Sequence, residues 1–68
     1  MNSDVLKGKW KQLSGSAKAK WGKLTDLDLD TISGEAEKLS GTLQEKYGYT
    51  KEEAKRQIDE WSREHDLG

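Results

Sequence analysis

The stretch that decides the fold of this chain runs from Gly34 to Gly48 and reads G-E-A-E-K-L-S-G-T-L-Q-E-K-Y-G. A related stretch, G-K-W-K-Q-L-S-G-S-A-K-A-K-W-G, stands 26 residues earlier, from Gly8 to Gly22. Six of the fifteen aligned positions are identical, and Trp21 and Tyr47 match as aromatic residues. The identical pairs are Gly8/Gly34, Leu13/Leu39, Ser14/Ser40, Gly15/Gly41, Lys20/Lys46 and Gly22/Gly48. We interpret the remaining residues as those that cap these two copies or pack between them.

Apolar residues recur every three or four positions through both copies, which is the spacing of one face of a helix. The first row is Leu6, Trp10, Leu13, Ala17, Trp21 and Leu24, and the second is Leu29, Ile32, Ala36, Leu39, Leu43 and Tyr47. We predict a first helix from about Asp4 to Trp21, followed by helices over about 26–32 and 35–47. The break falls at Ser33-Gly34, where Ser33 can cap the helix that follows. The alternative is one unbroken helix from Asp26 to Tyr47.

Turn and cap residues punctuate these helices. Thr25-Asp26-Leu27-Asp28 and Thr50-Lys51-Glu52-Glu53 are typical of capping boxes, and Gly22 and Gly48 are expected to be left-handed C-caps. The last helix carries Ala54, Ile58 and Trp61 on one face, fades near His65 and leaves Asp66-Leu67-Gly68 as a fraying tail.

The pattern predicts an all-α fold of four to five helices, arranged as two helical hairpins in a single domain over residues 1–68. Gly15 and Gly41 are interpreted as packing glycines where two helices cross, with local bending as the alternative. The predicted core is Leu6, Trp10, Leu13, Ala17, Trp21, Leu24, Leu29, Ile32, Ala36, Leu39, Leu43, Tyr47, Ile58 and Trp61.

Composition sets limits on stability and location. The chain has 68 residues, of which 31% are hydrophobic and 37% charged, so we expect a folded but only modestly stable domain. It contains no Cys and no Pro, and no apolar run approaches the roughly 20 residues that a membrane span requires. Because the N-terminus lacks an apolar signal segment, the expected location is the cytoplasm.

Charge is distributed unevenly. Residues 1–25 carry six lysines and one aspartate, a net charge of +5, and residues 26–68 carry six basic and twelve acidic residues, a net charge of −6. The sum is the net charge of −1 for the whole chain. This asymmetry predicts either an anionic partner for the first half or attraction between the two halves in the folded protein.

Four segments together resemble the CsbD-like family of small bacterial general stress-response proteins, also known as an uncharacterised protein family. They are K-G-K-W-K-Q-L, K-A-K-W-G-K-L-T-D-L-D-L, the repeat through Tyr49, and E-E-A-K-R-Q-I-D-E-W. The resemblance covers about Met1 to Trp61. It implies two roughly orthogonal hairpins in a SAM-domain-like arrangement and expression in the general stress response. It implies no reaction.

No residue pattern points to catalysis or to a cofactor. The one histidine, His65, is expected to be exposed in the tail, and without Cys or a second His it has no partner for a metal pair. Asp26, Asp28 and Asp30 resemble the start of a calcium loop, but the sixth position of such a loop requires Gly, and here it is Thr31. We therefore interpret the aspartates as capping residues that also complement the helix dipole, and we expect neither a metal nor a small-molecule substrate.

Nucleic acid is the main alternative partner. The candidate contacts are Lys7, Lys9, Lys11, Lys18, Lys20 and Lys23. Lysines contact phosphates and aromatic rings stack on bases, so Trp10 and Trp21 could take part. Both tryptophans fall on the apolar face, however, and the isoelectric point of about 5.8 is lower than such binders usually show. A solvated or ion-paired lysine face is therefore favoured, and no membrane partner is expected because the core requires the apolar face.

The favoured function is protective. Seven glycines and a mean hydropathy of −1.08 resemble hydrophilins, small hydrated proteins associated with osmotic stress and desiccation. A specific protein-binding adaptor is the other hypothesis, and it would show an exposed apolar patch. Leu27, Tyr49 and Leu67 fall outside the predicted core and are where such a patch is expected.

Overall fold

The computed structural model describes residues 3–65, which form four helices: α1 Ser3–Lys20, α2 Asp26–Ile32, α3 Ala36–Tyr47 and α4 Lys51–Glu64. No strand occurs within this range, so the all-α prediction is confirmed. The predicted break at Ser33-Gly34 is also confirmed. Leu67 and the rest of the predicted tail lie outside the described residues. None of the described helices has the length and apolar character that crossing a bilayer requires.

Thr25 forms the predicted capping box at the start of α2. Its hydroxyl accepts a hydrogen bond from the Asp28 N–H at 3.1 Å, and the Asp28 carboxylate accepts one from the Thr25 N–H at 2.9 Å. Thr50 caps α4 in one direction only, since its hydroxyl accepts from the Glu53 N–H while the Glu53 carboxylate binds Arg56 and Gln57 instead. The two capping threonines therefore fix where α2 and α4 begin.

Ser33 does not cap α3 as predicted. It lies in the left-handed region with φ of 49° and closes α2, its N–H donating to the Leu29 carbonyl at 3.1 Å. Gly34 follows with φ of 81°, and Glu35 precedes α3 without a side-chain cap hydrogen bond. Two consecutive left-handed residues complete the turn between α2 and α3, so the serine serves the helix that ends rather than the one that begins.

The core closely follows the predicted set. Twelve of the fourteen predicted side chains are buried, and the other two, Ala36 and Tyr47, are half-buried and pack against the core. Ala54 is buried as well. The Trp10 Nε1–H donates to the Leu29 carbonyl at 2.9 Å, which joins α1 to α2 inside the core.

The prediction that Gly15 and Gly41 are packing glycines is wrong. Gly15 and Gly41 are exposed, and a Cβ added at either would meet nothing within 4 Å. Each lies two residues from a buried position on both sides, and two residues correspond to about 200° around a helix, so both face solvent. The close approach occurs at Gly34 instead, where an added Cβ would lie 2.7 Å from the Lys7 Cα.

The two predicted C-cap glycines differ. Gly48 has φ of 70° and closes α3 through its N–H to the Gln44 carbonyl, as predicted. Gly22 is not left-handed. The chain leaves α1 through right-handed turns in which the Trp21 N–H donates to the Ala17 carbonyl and the Leu24 N–H to the Trp21 carbonyl. This path keeps Trp21 and Leu24, both 2% exposed, on the core side.

Helices α3 and α4 pack as a hairpin across the three-residue connection of Gly48 to Thr50, and α2 packs against α3. The orthogonal, SAM-domain-like arrangement stays a prediction.

The other end of α4 reaches α1. His65 is half-buried, not the exposed tail residue that was expected. Its ring packs on Trp61 at a centroid distance of 5.4 Å, and its Nε2 lies 2.8 Å from the Ser16 hydroxyl. Trp61 itself is buried, so His65 packs on a core side chain.

Candidate functional site

The six candidate lysines do not form one surface. Lys11 and Lys18 follow Lys7 by four and eleven residues, so all three share one flank of α1. Lys9 and Lys20, eleven residues apart, share the opposite flank, and Lys23 lies beyond the helix. The six predicted lysines therefore lie on two flanks of α1 and beyond its end, rather than on one surface.

Two lysines of the first flank form ion pairs with the acidic half of the chain. The Lys18 Nζ lies 2.7 Å from Asp26 Oδ1, and the Lys7 Nζ lies 3.9 Å from Glu35 Oε1. The pKa of Glu35 is lowered, first by the hydrogen bond and charge of Lys38 and then by the more distant Lys7. Attraction between the halves thus accounts for part of the charge asymmetry. These pairs are exposed, so their contribution to stability is small.

Two further lysines lie over aromatic rings. The Lys20 Nζ is 5.8 Å from the centroid of Trp21, and the Lys23 Nζ is 5.0 Å from that of Tyr47. The Lys23 N–H also donates to the Tyr47 hydroxyl at 3.1 Å. Within residues 3–65, Lys9 and Lys11 have neither an ion pair nor a ring contact, so they are the cations of α1 best placed to meet an external anion.

The tryptophans of α1 are core residues. Trp10 is 8% exposed and Trp21 2% exposed, so neither presents a ring face to a base. Trp21 packs on Trp61 at a centroid distance of 5.4 Å and a tilt of 59°. Its indole N–H is buried without a hydrogen-bond partner among the described residues. The stacking role considered for these rings is therefore not supported by their positions.

The aspartates of α2 are engaged locally. Asp26 binds Lys18, and Asp28 accepts hydrogen bonds from the Thr25 backbone and from Lys46, whose Nζ lies 2.9 Å away. The pKa of Asp28 is lowered chiefly by the Thr25 N–H and next by Lys46. Among the described residues, no group of three or more His, Cys, Asp or Glu side chains is placed to hold a metal ion.

An open groove of about 830 Å³ between α3 and α4 was not predicted. Ala36, the buried Ser40 and the buried Ile58 line it, with Gln44 donating a side-chain hydrogen bond to Ser40 Oγ at 3.2 Å. The small side chains of Ala36 and Ser40, four residues apart, create the space. Two small residues four apart on α3, and two lysines four apart on α4, were the signal in the sequence from which this groove could have been predicted.

The rim of the groove is charged. Lys51, Lys55 and Arg56 supply three positive charges, and Glu37 and Asp59 supply two negative ones. Arg56 is paired with Glu53, whereas Lys51 and Lys55 are exposed and have no ion pair within the described part of the chain. The groove therefore combines a small apolar lining with two available ammonium groups.

Only one large apolar side chain among the described residues is strongly exposed. Leu27, in the first turn of α2, is 74% exposed. Tyr49, the other described candidate for an apolar patch, is half-buried and stacks on Tyr47 at a centroid distance of 5.2 Å. The adaptor hypothesis therefore depends on Leu27.

Comparison with known proteins places the chain among small bacterial proteins. A family described as CsbD-like matches residues 4–56. A UPF0337 protein of Bordetella pertussis is 56% identical over 61 residues, which is 90% of this chain and 92% of that protein. A UPF0337 protein of Pseudomonas aeruginosa is 56% identical over 62 residues, covering 91% and 95%. The UPF0337 protein YjbJ of Escherichia coli K12 is 46% identical over 61 residues, covering 90% and 88%.

Proposed function

The chain belongs to the CsbD-like family, a family of the general stress response, and from this premise we propose that it is a non-catalytic, cytoplasmic protein that protects other proteins when a bacterial cell loses water. The proposed action is hydrophilin-like. The folded domain lies between client proteins and keeps their exposed apolar surfaces apart. Such an action requires a surface that retains water, and it requires no active site.

The observation that carries this proposal is the separation of apolar from charged side chains. Within residues 3–65, thirteen apolar residues form the core, and Leu27 alone among the large apolar side chains is strongly exposed. Charged residues make up 37% of the chain, and every described Asp, Glu, Lys and Arg side chain is at least partly exposed. Ionised groups bind water strongly, and a surface without large apolar patches has little tendency to aggregate.

The test is a drying experiment on two unrelated client enzymes, one acidic and one basic. Each is dried and rehydrated with the full-length protein or with an equal mass of an unrelated small helical protein, and recovered activity is measured. The wild type and a variant with its exposed Lys and Glu residues interchanged at constant net charge are both expected to protect both clients. Protection no better than that given by the unrelated protein would refute the proposal.

Specific recognition would look different in the same assay. Loss of protection in a double variant such as Lys9→Gln/Lys11→Gln, with Lys7→Gln/Lys18→Gln as the matched control, would indicate one defined partner rather than general shielding. Protection of only one client would indicate the same.

Weak nucleic-acid binding is the second candidate function, favoured by the exposed and unpaired state of Lys9 and Lys11 in the described structure. Fluorescence anisotropy with a labelled DNA duplex and a single-stranded RNA at about 50 and 200 mM salt measures it, since phosphate contacts weaken steeply with salt. If this function operates, Lys9→Gln/Lys11→Gln loses more affinity than Lys7→Gln/Lys18→Gln, whose lysines already have acidic partners. Absence of binding at the lower salt concentration removes the candidate.

A further inference from the structure

Two surfaces of this molecule are complementary, and neither is covered by another part of the chain that the structure describes. The first is the α2 knob, defined as Leu27 with Asp30 three residues later on the same side of the helix. Both are exposed, and the Asp30 carboxylate has no ion pair among the described residues. A lone exposed leucine is ordinary, but here it stands beside an available negative charge.

The second surface is the groove between α3 and α4. Its lining of Ala36, Ser40 and Ile58 offers space for an apolar side chain, and its volume of about 830 Å³ is ample for a leucine. Lys51 and Lys55, on consecutive turns of α4, border it with charges that lack a partner in the described structure. The rim also carries Glu37 on α3 and Asp59 on α4, but Asp59 is paired with Arg63, so the unpaired charges at the α4 edge are positive. The groove thus has the space, the apolar lining and the charge that suit the α2 knob.

We infer that the α2 knob of one copy docks into the α3–α4 groove of a second copy, with Leu27 against Ile58 and Asp30 facing Lys51 and Lys55. The apolar contact removes Leu27 from water, and the opposite charges orient it. Because only one side chain and its neighbours are buried, the contact belongs with small, transient interfaces and operates at high protein concentration.

The two surfaces are different, so the contact is heterologous. Each copy that docks its knob still presents an empty groove, and each copy that fills its groove still presents a knob. Such contacts extend into open chains unless the rotation between copies closes a ring. Self-association therefore grows with concentration, which rises as water is withdrawn. It is measured without any client enzyme, so its failure would leave the protective proposal intact.

Sedimentation velocity of the full-length protein at low salt, from about 10 µM to about 1 mM, provides the first test. The average mass of the wild type is expected to rise with concentration and to fall on addition of salt. Leu27→Ser, which leaves the net charge unchanged, weakens association at least about tenfold, because it removes the apolar side chain that the contact between copies buries. Lys51→Glu/Lys55→Glu has a similar effect.

Lys9→Glu/Lys20→Glu is the matched control, since it changes the net charge equally but lies on the flank of α1 opposite Lys11, outside the lining of the groove and away from Asp30. It is expected to associate more strongly than the groove variant. All the substituted side chains are exposed, and circular dichroism verifies that each variant keeps its helices.

Mixing the two loss-of-docking variants gives the decisive result. The Leu27→Ser copy retains a working groove, and the Lys51→Glu/Lys55→Glu copy retains a working knob. Each alone is expected to associate at least about tenfold more weakly than the wild type, whereas the mixture forms a one-to-one pair that grows no further. A wild type that stays monomeric throughout the range, or a mixture that sediments as the sum of two monomers, would overturn the inference.

Discussion

The two copies of the repeat share residues, but matching residues do not always have the same burial or backbone conformation. Leu13 and Leu39 are both buried, and Gly15 and Gly41 are both exposed, so the middle of each copy behaves alike. The ends differ. Gly8 lies exposed inside α1, whereas its counterpart Gly34 is buried and left-handed against α1. Helical periodicity therefore governs the interior of each copy, and neighbouring elements decide what happens at its boundaries.

The aromatic residue near the end of each copy, Trp21 or Tyr47, gives the largest expected difference in stability between equivalent positions. Trp21→Ala is expected to cost about 3–5 kcal/mol of unfolding free energy, because it empties a buried site packed on Trp61. Tyr47→Ala removes a half-buried ring and is expected to cost roughly 1–3 kcal/mol. Urea denaturation followed by circular dichroism measures both. Equal losses would show that the two aromatics are equivalent after all.

The first glycine of each copy comes next. Gly34→Ala is expected to lose roughly 2–4 kcal/mol, since the new Cβ would meet the Lys7 backbone and φ of 81° strains any L residue. Gly8→Ala, in the exposed interior of α1 with open space around it, is expected to gain about 0.5–1 kcal/mol. Thermal melting of the two variants compares them directly. A stability loss at position 8 as large as that at position 34 would contradict the structure.

The last glycine of each copy differs in the same sense. Gly48→Ala places a side chain at φ of 70° and is expected to cost about 1–2 kcal/mol. Gly22→Ala, where φ is not positive and nothing lies near the added Cβ, is expected to change stability little. Denaturation midpoints measured side by side test this pair. A clear loss for Gly22→Ala would restore the symmetry that the sequence predicts.

The central glycines should respond alike. Gly15→Ala and Gly41→Ala are each expected to stabilise the protein by about 0.5–1 kcal/mol, because both sites are exposed helix interiors. This is the reverse of the effect expected of packing glycines. The melting temperatures of the single variants and of the double variant measure it. A lowered value in either single variant would indicate a contact that the structure does not show.

The lysine pair gives the smallest contrast. Lys46 binds Asp28, whereas Lys20 lies over the Trp21 ring. The pKa of Asp28 is lowered on folding, so the unfolded chain binds more protons. The stability that this group contributes is present above its ordinary pKa of about 4 and is lost as the pH falls below that value through the lowered pKa of the folded state.

Thermal melts of the wild type and of Asp28→Asn between pH 7 and pH 3 follow this loss. The wild type is expected to be slightly more stable than Asp28→Asn at pH 7, and the difference in melting temperature between the two is expected to narrow below about pH 4. For Lys20→Gln the difference from the wild type is expected to stay constant over the same range. A constant difference for Asp28→Asn would remove the proposed role of its charge.

Much of the fold could be predicted because it depends on local spacing. The rows beginning at Leu6 and Leu29 placed ten buried side chains correctly, and the capping box at Thr25 and the break after Ile32 follow from their own neighbours in sequence. Gly34 could not be identified as the packing glycine, because its close contact is with Lys7, far away in sequence. His65 was misjudged for the same reason, since its partner Ser16 is 49 residues away.

The candidate site was less predictable than the fold. Sequence alone identified the lysines and named Leu27 as a position outside the core. It could not show that Lys7 and Lys18 have acidic partners, that Lys9 and Lys11 have none among the described residues, or that a groove lies beside Lys51 and Lys55. Each of these facts depends on how one helix is placed against another.

By itself the sequence determined the all-α class, the helices that the two apolar rows form, most of the core and membership of the CsbD-like family. Hydrophobic periodicity and capping act over three or four residues, so they can be recognised without knowledge of the rest of the chain. The tertiary structure alone decided which glycine allows close packing, which lysines are paired and where a groove remains open. Those outcomes depend on distances between residues far apart in sequence, and only the packed helices fix these distances.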